Sequence, residues 1–229
     1  MASSKVDKAL YGPSMWEVAL GAILGLIAGV LACCVYLVFK PVQTVKEMPK
    51  EPVKGMVYYI PGNESSGRAR DWQNKHKRFL AGGSIKLNEE ELNAWGASLA
   101  APPAPAKDAK AEEQKPAASG AFFTAGAPNF KIVGEKLQVG FKCKIDYFGL
   151  GTEVQVVALG KFGKSGDHVE FDAESVTFGS CPLERVPGVG HFLIGKLAGL
   201  HKVSDEWKAA WTKVSEVTIA GKDINVTIQ

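Results

Sequence analysis

Val18 to Phe39 is an uncharged run of 22 residues near the start of the chain, and it limits what the chain can become more than any other feature. At a helical rise of about 1.5 Å per residue the run is roughly 33 Å long, enough to cross a hydrocarbon core of about 30 Å. Trp16 and Glu17 close one end; Tyr36, Lys40 and Pro41 close the other, in the order expected of interfacial residues and a helix stop. The apolar region of a cleaved signal peptide is shorter. Leu31-Ala32-Cys33 resembles the end of a lipobox, but the run continues for six residues past Cys33, which argues against cleavage there. The expectation is an uncleaved, single-pass transmembrane helix over 18–39, preceded by a tail over 1–17.

Gly21, Gly25 and Gly29 recur at a spacing of four within this run. They share one helix face, where missing side chains let a second helix approach closely. The expected partner is another copy of the chain or another membrane protein, although glycine is also common in membrane helices generally. The flanking charges point two ways. Lys40, Lys46, Lys50 and Lys54, against Glu47 and Glu51, outnumber Lys5 and Lys8, against Asp7, and would hold the following domain inside the cell. A signal anchor with a short basic N-terminus would place it outside, and the lysine rule weakens when a long domain follows.

The remaining sequence reads as a soluble part. Its composition excludes some function classes. A net charge of +3, with no arginine-rich tract and no aromatic RNA-binding signature, does not indicate nucleic acid. Only Cys143 and Cys181 lie outside the apolar run, as one disulfide or as two buried thiols, and without a Cys-x-x-Cys pair neither zinc nor thioredoxin chemistry is expected.

Residues 40–63 read as an extended stalk interrupted by Pro41, Pro49, Pro52 and Pro61. Residues 64–99 read as a helical segment. Ser66 can cap a helix to about Leu80, with Ala69, Trp72, His76, Phe79 and Leu80 on one stripe. Arg68, Arg70, Lys75, Lys77 and Arg78 crowd its other side, where they could contact anionic lipid headgroups or form a solvated face. Asn88 begins a second helix with Glu91 at the capping-box position, Leu87 able to staple onto Leu92, and Leu92, Trp95 and Leu99 on one stripe. Residues 100–120, rich in Ala and Pro with Lys and Glu, read as a linker.

Residues 121–229 read as an antiparallel sheet domain with two helices. Leu137, Val139, Phe141, Cys143, Ile145 and Tyr147 alternate with polar or small residues, which predicts a half-buried strand. Phe148–Thr152 reads as a glycine turn, followed by strands over Glu153–Phe162 and His168–Phe178, the latter changing parity between Ala173 and Val176 as at a bulge. A closing pair spans Glu216–Ala220 and Asp223–Gln229. Pro187–Leu200 reads as a nearly uncharged, glycine-loosened helix, and Ser204 can cap another that carries Trp207, Ala210, Trp211 and Val214. The fold class is therefore α+β: a transmembrane helix followed by an antiparallel sheet with helices covering one face.

No motif for catalysis stands out. His168 and His191 belong to no metal-ligand spacing, so no metal and no cofactor is expected. Cys181 with His191 could form a thiol–imidazole pair, but a buried thiol beside Pro182 accounts for the same residues. Asp172 and Glu174 read as a solvated strand face. The chain is expected not to be an enzyme.

The segments Lys86-Leu87-Asn88-Glu89-Glu90-Glu91-Leu92-Asn93 and Gly179-Ser180-Cys181-Pro182-Leu183-Glu184-Arg185-Val186-Pro187, in this order after an N-terminal anchor, resemble the uncharacterised YpmS-like family of bacterial membrane-anchored proteins. The resemblance covers most of residues 84–229; the Ala/Pro insert at 100–120 departs from it. It implies a single-pass protein of the bacterial inner membrane with an extracytoplasmic, periplasmic domain, and it brings no catalytic residue.

Two functions are carried forward. One is a non-catalytic subunit or assembly factor of an envelope membrane complex. The other is a lipid- or acyl-chain-binding domain, with Val189, Phe192, Leu193, Leu197 and Leu200 lining an apolar groove that a tryptophan at Gly195 would block. In both, membrane lipids are partners and nucleic acid is not.

Overall fold

The structure is a computed structural model and describes residues 12–63, 66–100, 123–147, 150–166, 168–185, 188–201 and 203–228. The linker, the lysines of the N-terminal tail and Pro187 lie outside the described residues, as does part of the turn at 148–149.

Helix α1, Met15–Phe39, begins three residues earlier than the apolar run because Ser14 and Glu17 form a capping box. The Ser14 hydroxyl accepts from Glu17 N–H, and the Glu17 carboxylate accepts from Ser14 N–H. None of its 25 residues is buried. It is long and apolar enough to cross a membrane. Its C-terminal end docks on the soluble part: Ser180 N–H donates to Leu37 O at 2.9 Å, and Ser180 Oγ donates to Lys40 O at 3.2 Å. Gly179 permits this contact twice over. Its φ is +59°, and a Cβ there would lie 2.0 Å from Val38 O.

The residues expected as a stalk fold back onto the domain. Strands β1 (Gln43–Thr44) and β2 (Tyr58–Tyr59) pair in parallel. Tyr59 is buried, with its hydroxyl donating to Asn129 Oδ1 at 2.9 Å and its ring lying over Gly140, where a Cβ would come within 2.7 Å. Gln138 Nε2 donates to Ile60 O at 2.8 Å. The proline-broken segment is extended, as its sequence demands, but not free.

The basic helix α2 spans Ala69–Leu80, behind a 3-10 turn at Ser66–Arg68, and no side chain caps it. Strand β3 (Ile85–Asn88) leads directly into α3 (Glu89–Ala100), whose capping box is reciprocal: Asn88 N–H donates to Glu91 and Glu91 N–H donates to Asn88. Four long strands follow, β4 (Phe123–Val133), β5 (Lys136–Tyr147), β6 (Leu150–Ser165) and β7 (His168–Phe178), and then the short β8 (Cys181–Pro182). They form one antiparallel five-stranded sheet in sequential order. The β5 alternation holds from Leu137 to Ile145, with Lys142, Lys144 and Asp146 exposed. Gly140 is buried against the pattern because Tyr59 covers it. Ser175 pairs with Leu159 while Ala173 pairs with Gly160, so Glu174 is the extra residue of a bulge and β7 changes parity there.

Helix α4 (Val189–Leu200) and helix α5 (Asp205–Trp211) precede the hairpin β9 (Val214–Ala220) and β10 (Asp223–Ile228). That hairpin does not join the large sheet. It pairs with β3 in a second, three-stranded antiparallel sheet of order β3-β10-β9, through Leu87–Ile224 and Ile85–Val226. The sheet domain therefore draws on residues before 121, and the architecture is α+β with two antiparallel sheets facing a shared core.

Candidate functional site

Between the two sheets lies a cavity of about 270 Å³. The large sheet supplies Phe130, Leu137, Val139, Phe141, Phe162 and Phe171; the small one supplies Ile85, Leu87, Val217, Ile224 and Val226. Helices close the sides with Trp72 and Phe79 from α2, Leu92, Trp95 and Leu99 from α3, Ile194 and Ala198 from α4, and Trp207 and Trp211 from α5. Each strand and helix contributes its own apolar face, as its period requires. Of the lining residues Ala198, in the C-terminal half of α4, is the one that is exposed.

One wall is a stack of rings. Phe130 lies 5.6 Å from Trp95, Trp95 lies 5.2 Å from Trp207, and Trp207 lies 5.0 Å from Trp211, all within 16° of parallel. Stacked rings with few rotatable bonds make a stiff wall. Trp211 is held further by donating its indole N–H to Val169 O at 3.1 Å.

His201 is the titratable group in the lining. Its ring stacks on Phe141, with centroids 5.9 Å apart, and its Nε2 is buried without a partner among the described residues. Burial pulls its pKa below the ordinary 6.5, so the imidazole is neutral at pH 7. An otherwise apolar lining offers no charge to a ligand and little to water.

The size of the cavity matters. A methylene occupies about the volume of a water, roughly 30 Å³, so the space accepts on the order of nine such groups. A chain that fills the space would bury its own apolar surface against this lining.

The residues expected to line a groove are placed differently. Leu197 is buried and Leu193 packs against the core, but Val189, Phe192 and Leu200 are exposed, and none of the five lines the cavity. Helix α4 presents Ile194 and Ala198 instead. Gly195 is exposed, with nothing within 4 Å of a Cβ, so a tryptophan there would point away from the cavity.

Of the five basic residues on α2 and in the turn before it, two are engaged within the domain. Arg68 pairs with Asp71 at 3.0 Å and Glu90 at 3.2 Å, and Lys75 donates to the buried Glu91 at 2.7 Å. Arg70, Lys77 and Arg78 are exposed. The Gly21, Gly25 and Gly29 face is open, with nothing within 4 Å of a Cβ at any of the three.

The cysteines are free thiols. Cys143 on β5 and Cys181 on β8 are separated by three strand spacings, about 14 Å, too far for a disulfide. Burial pushes the Cys143 thiol up to about 12, and Cys181 is raised by burial and by the neighbouring Cys34. His191 Nε2 lies 3.2 Å from Asp172 Oδ1 at the surface. Among the described residues no group of three or more His, Cys, Asp or Glu side chains converges as a metal site would.

Trp72, Trp95, Trp207 and Trp211 each sit on an apolar stripe that is legible in the sequence. That they leave a space between them depends on the angle at which two sheets and four helices meet. No family model, curated protein or solved structure matches this chain.

Proposed function

We propose that this protein is a membrane-anchored binder of a single apolar chain, handling lipid without a catalytic step. The observation that supports it is the cavity itself: about 270 Å³ with a lining of aliphatic and aromatic side chains. Such a space suits a chain of roughly eight to twelve carbons, or part of a longer one. Helix α1 keeps the domain beside the bilayer from which the chain would come. The resemblance to the YpmS-like family supports the bacterial inner membrane, with the domain on the periplasmic side. Protease added to intact spheroplasts should then remove the domain, and complete protection until lysis would rule that side out.

Binding is tested on the full chain in a rigid sterol-based detergent too bulky for the cavity. Trp72, Trp95, Trp207 and Trp211 report occupancy by fluorescence. Titration with decanol or decanoic acid should shift their emission and raise the melting temperature, since a ligand that binds only the folded state stabilises it. No change in either signal with any chain length would remove the reading.

A second reading, a subunit of an envelope membrane complex, is supported by the open glycine face of α1. Gly25→Leu should weaken crosslinking to a partner helix without preventing insertion. Unchanged crosslinking would leave the glycines without that role.

A further inference from the structure

Helix α4 has two apolar faces, and only one of them is used by the domain. Gly190, Ile194 and Leu197 turn inward, and Ile194 and Ala198 line the cavity. On the opposite face Val189, Phe192, Lys196 and Leu200 follow one another at spacings of three or four. Phe192 is 66% exposed, Leu200 54% and Val189 39%. Three large apolar side chains exposed together around one lysine suit a contact surface.

The position of the stripe indicates what covers it. Trp16 and Tyr36 are separated by twenty residues of α1, about 30 Å, which matches the hydrocarbon thickness and leaves Leu37 and Val38 in the headgroup layer. Gly179 abuts Val38 there. Val176, three residues back along the chain and so within about 10 Å, carries the N-terminal turn of α4, since a Cβ on Gly190 would lie 3.1 Å from its side chain. The start of α4 is thus about as far from the headgroup layer as an interfacial helix is wide.

We infer that the outer stripe of α4 lies in the headgroup–acyl boundary of the same bilayer that holds α1. Its apolar side chains are covered by lipid, and Lys196, whose Nζ sits 5.5 Å over the Phe192 ring, reaches back to the phosphates. This rests on the chain-binding reading and deepens it. Helix α4 then stands as a single layer between bilayer and cavity. Gly195 and Gly199 lower its intrinsic helix stability, so surrounding contacts hold it in place and it can shift.

The test places photoreactive benzoylphenylalanine at Phe192, and separately at His191, in the full chain reconstituted into vesicles of phosphatidylethanolamine and phosphatidylglycerol. His191 is exposed on another side of the same helix, where it faces Asp172. Lipid adducts several-fold more abundant from position 192 than from 191 support the inference. Equal yields, or none from 192, overturn it. Leu200 provides a second exposed position if the label at 192 disturbs folding. Decanol titration of the same samples separates the two claims. Adducts without chain uptake keep the interfacial helix and remove the cavity function. Uptake without adducts does the reverse.

Discussion

Asn93 and Phe130 hold each other by two reciprocal hydrogen bonds. Phe130 N–H donates to Asn93 Oδ1 at 2.6 Å, and Asn93 Nδ2 donates to Phe130 O at 2.9 Å. A side chain on α3 thus imitates the next strand of the large sheet. One turn earlier on α3, Glu89 accepts from Ile132 N–H at 3.1 Å. Strand β4 is an edge strand, and an unpaired edge invites association with other chains. Helix α3 covers that edge while its Leu92, Trp95 and Leu99 line the cavity.

Asn93→Leu should therefore leave two backbone groups of Phe130 buried and unpaired. Each such loss costs about 1–3 kcal/mol. The melting temperature of the full chain in detergent, followed by tryptophan fluorescence, should fall markedly, with faster hydrogen exchange at Phe130. Wild-type values for both would mean that the pair contributes little.

Phe141→Ala should cost roughly 3–5 kcal/mol, because it removes a buried ring and enlarges a cavity that already exists. Lys142→Ala, on the exposed side of the same strand, should cost about 0.5 kcal/mol or less. Equal denaturation midpoints would contradict the facing of β5.

Ala198→Trp should crowd the cavity from its α4 wall and weaken decanol uptake about tenfold or more, or ~1.4 kcal/mol. Gly195→Trp, three residues earlier on the outer face, should leave uptake unchanged. The reverse pattern, measured by the same fluorescence titration, would mean that the chain does not occupy this cavity.

Acid should destabilise the domain through His76 and His201. Burial is the main cause of the lowered pKa at each, with Glu206 opposing it at His76. Above about pH 6.5 both folded and unfolded states are neutral and these groups have no effect. Below it the unfolded state takes up protons that the folded state refuses, so stability falls until the folded pKa values are reached. His201→Phe removes the unpaired Nε2 and should both raise stability at pH 7, by about 1–2 kcal/mol, and flatten this acid limb. Denaturant midpoints between pH 5 and pH 7.5 decide it; an unaltered slope in the variant would assign the limb to other groups.

Some of this was settled by the sequence alone, because the rules involved are local. The length of the apolar run in α1, the alternation along β5, the parity change before Val176 and the Asn88–Glu91 cap each depend on residues within one element. The turn at Gly221, with φ +66°, is of the same kind. Helix α4 resisted such reading for a definite reason. Apart from His191 and Lys196 its apolar and glycine residues run all round, so its period cannot tell which face turns inward, and three of the five residues expected to line a groove are exposed. Packing of Gly190 against Val176 and of Leu197 into the core made that choice. Tertiary structure likewise decided that β3 pairs with β10, that Tyr59 returns over Gly140 and that Asn93 closes the edge at Phe130. These contacts join segments far apart in the chain, and each side chain alone carries no sign of its partner. The cavity is the clearest case. Every residue around it is an ordinary core residue, and the space exists only because the two sheets and their helices do not quite meet.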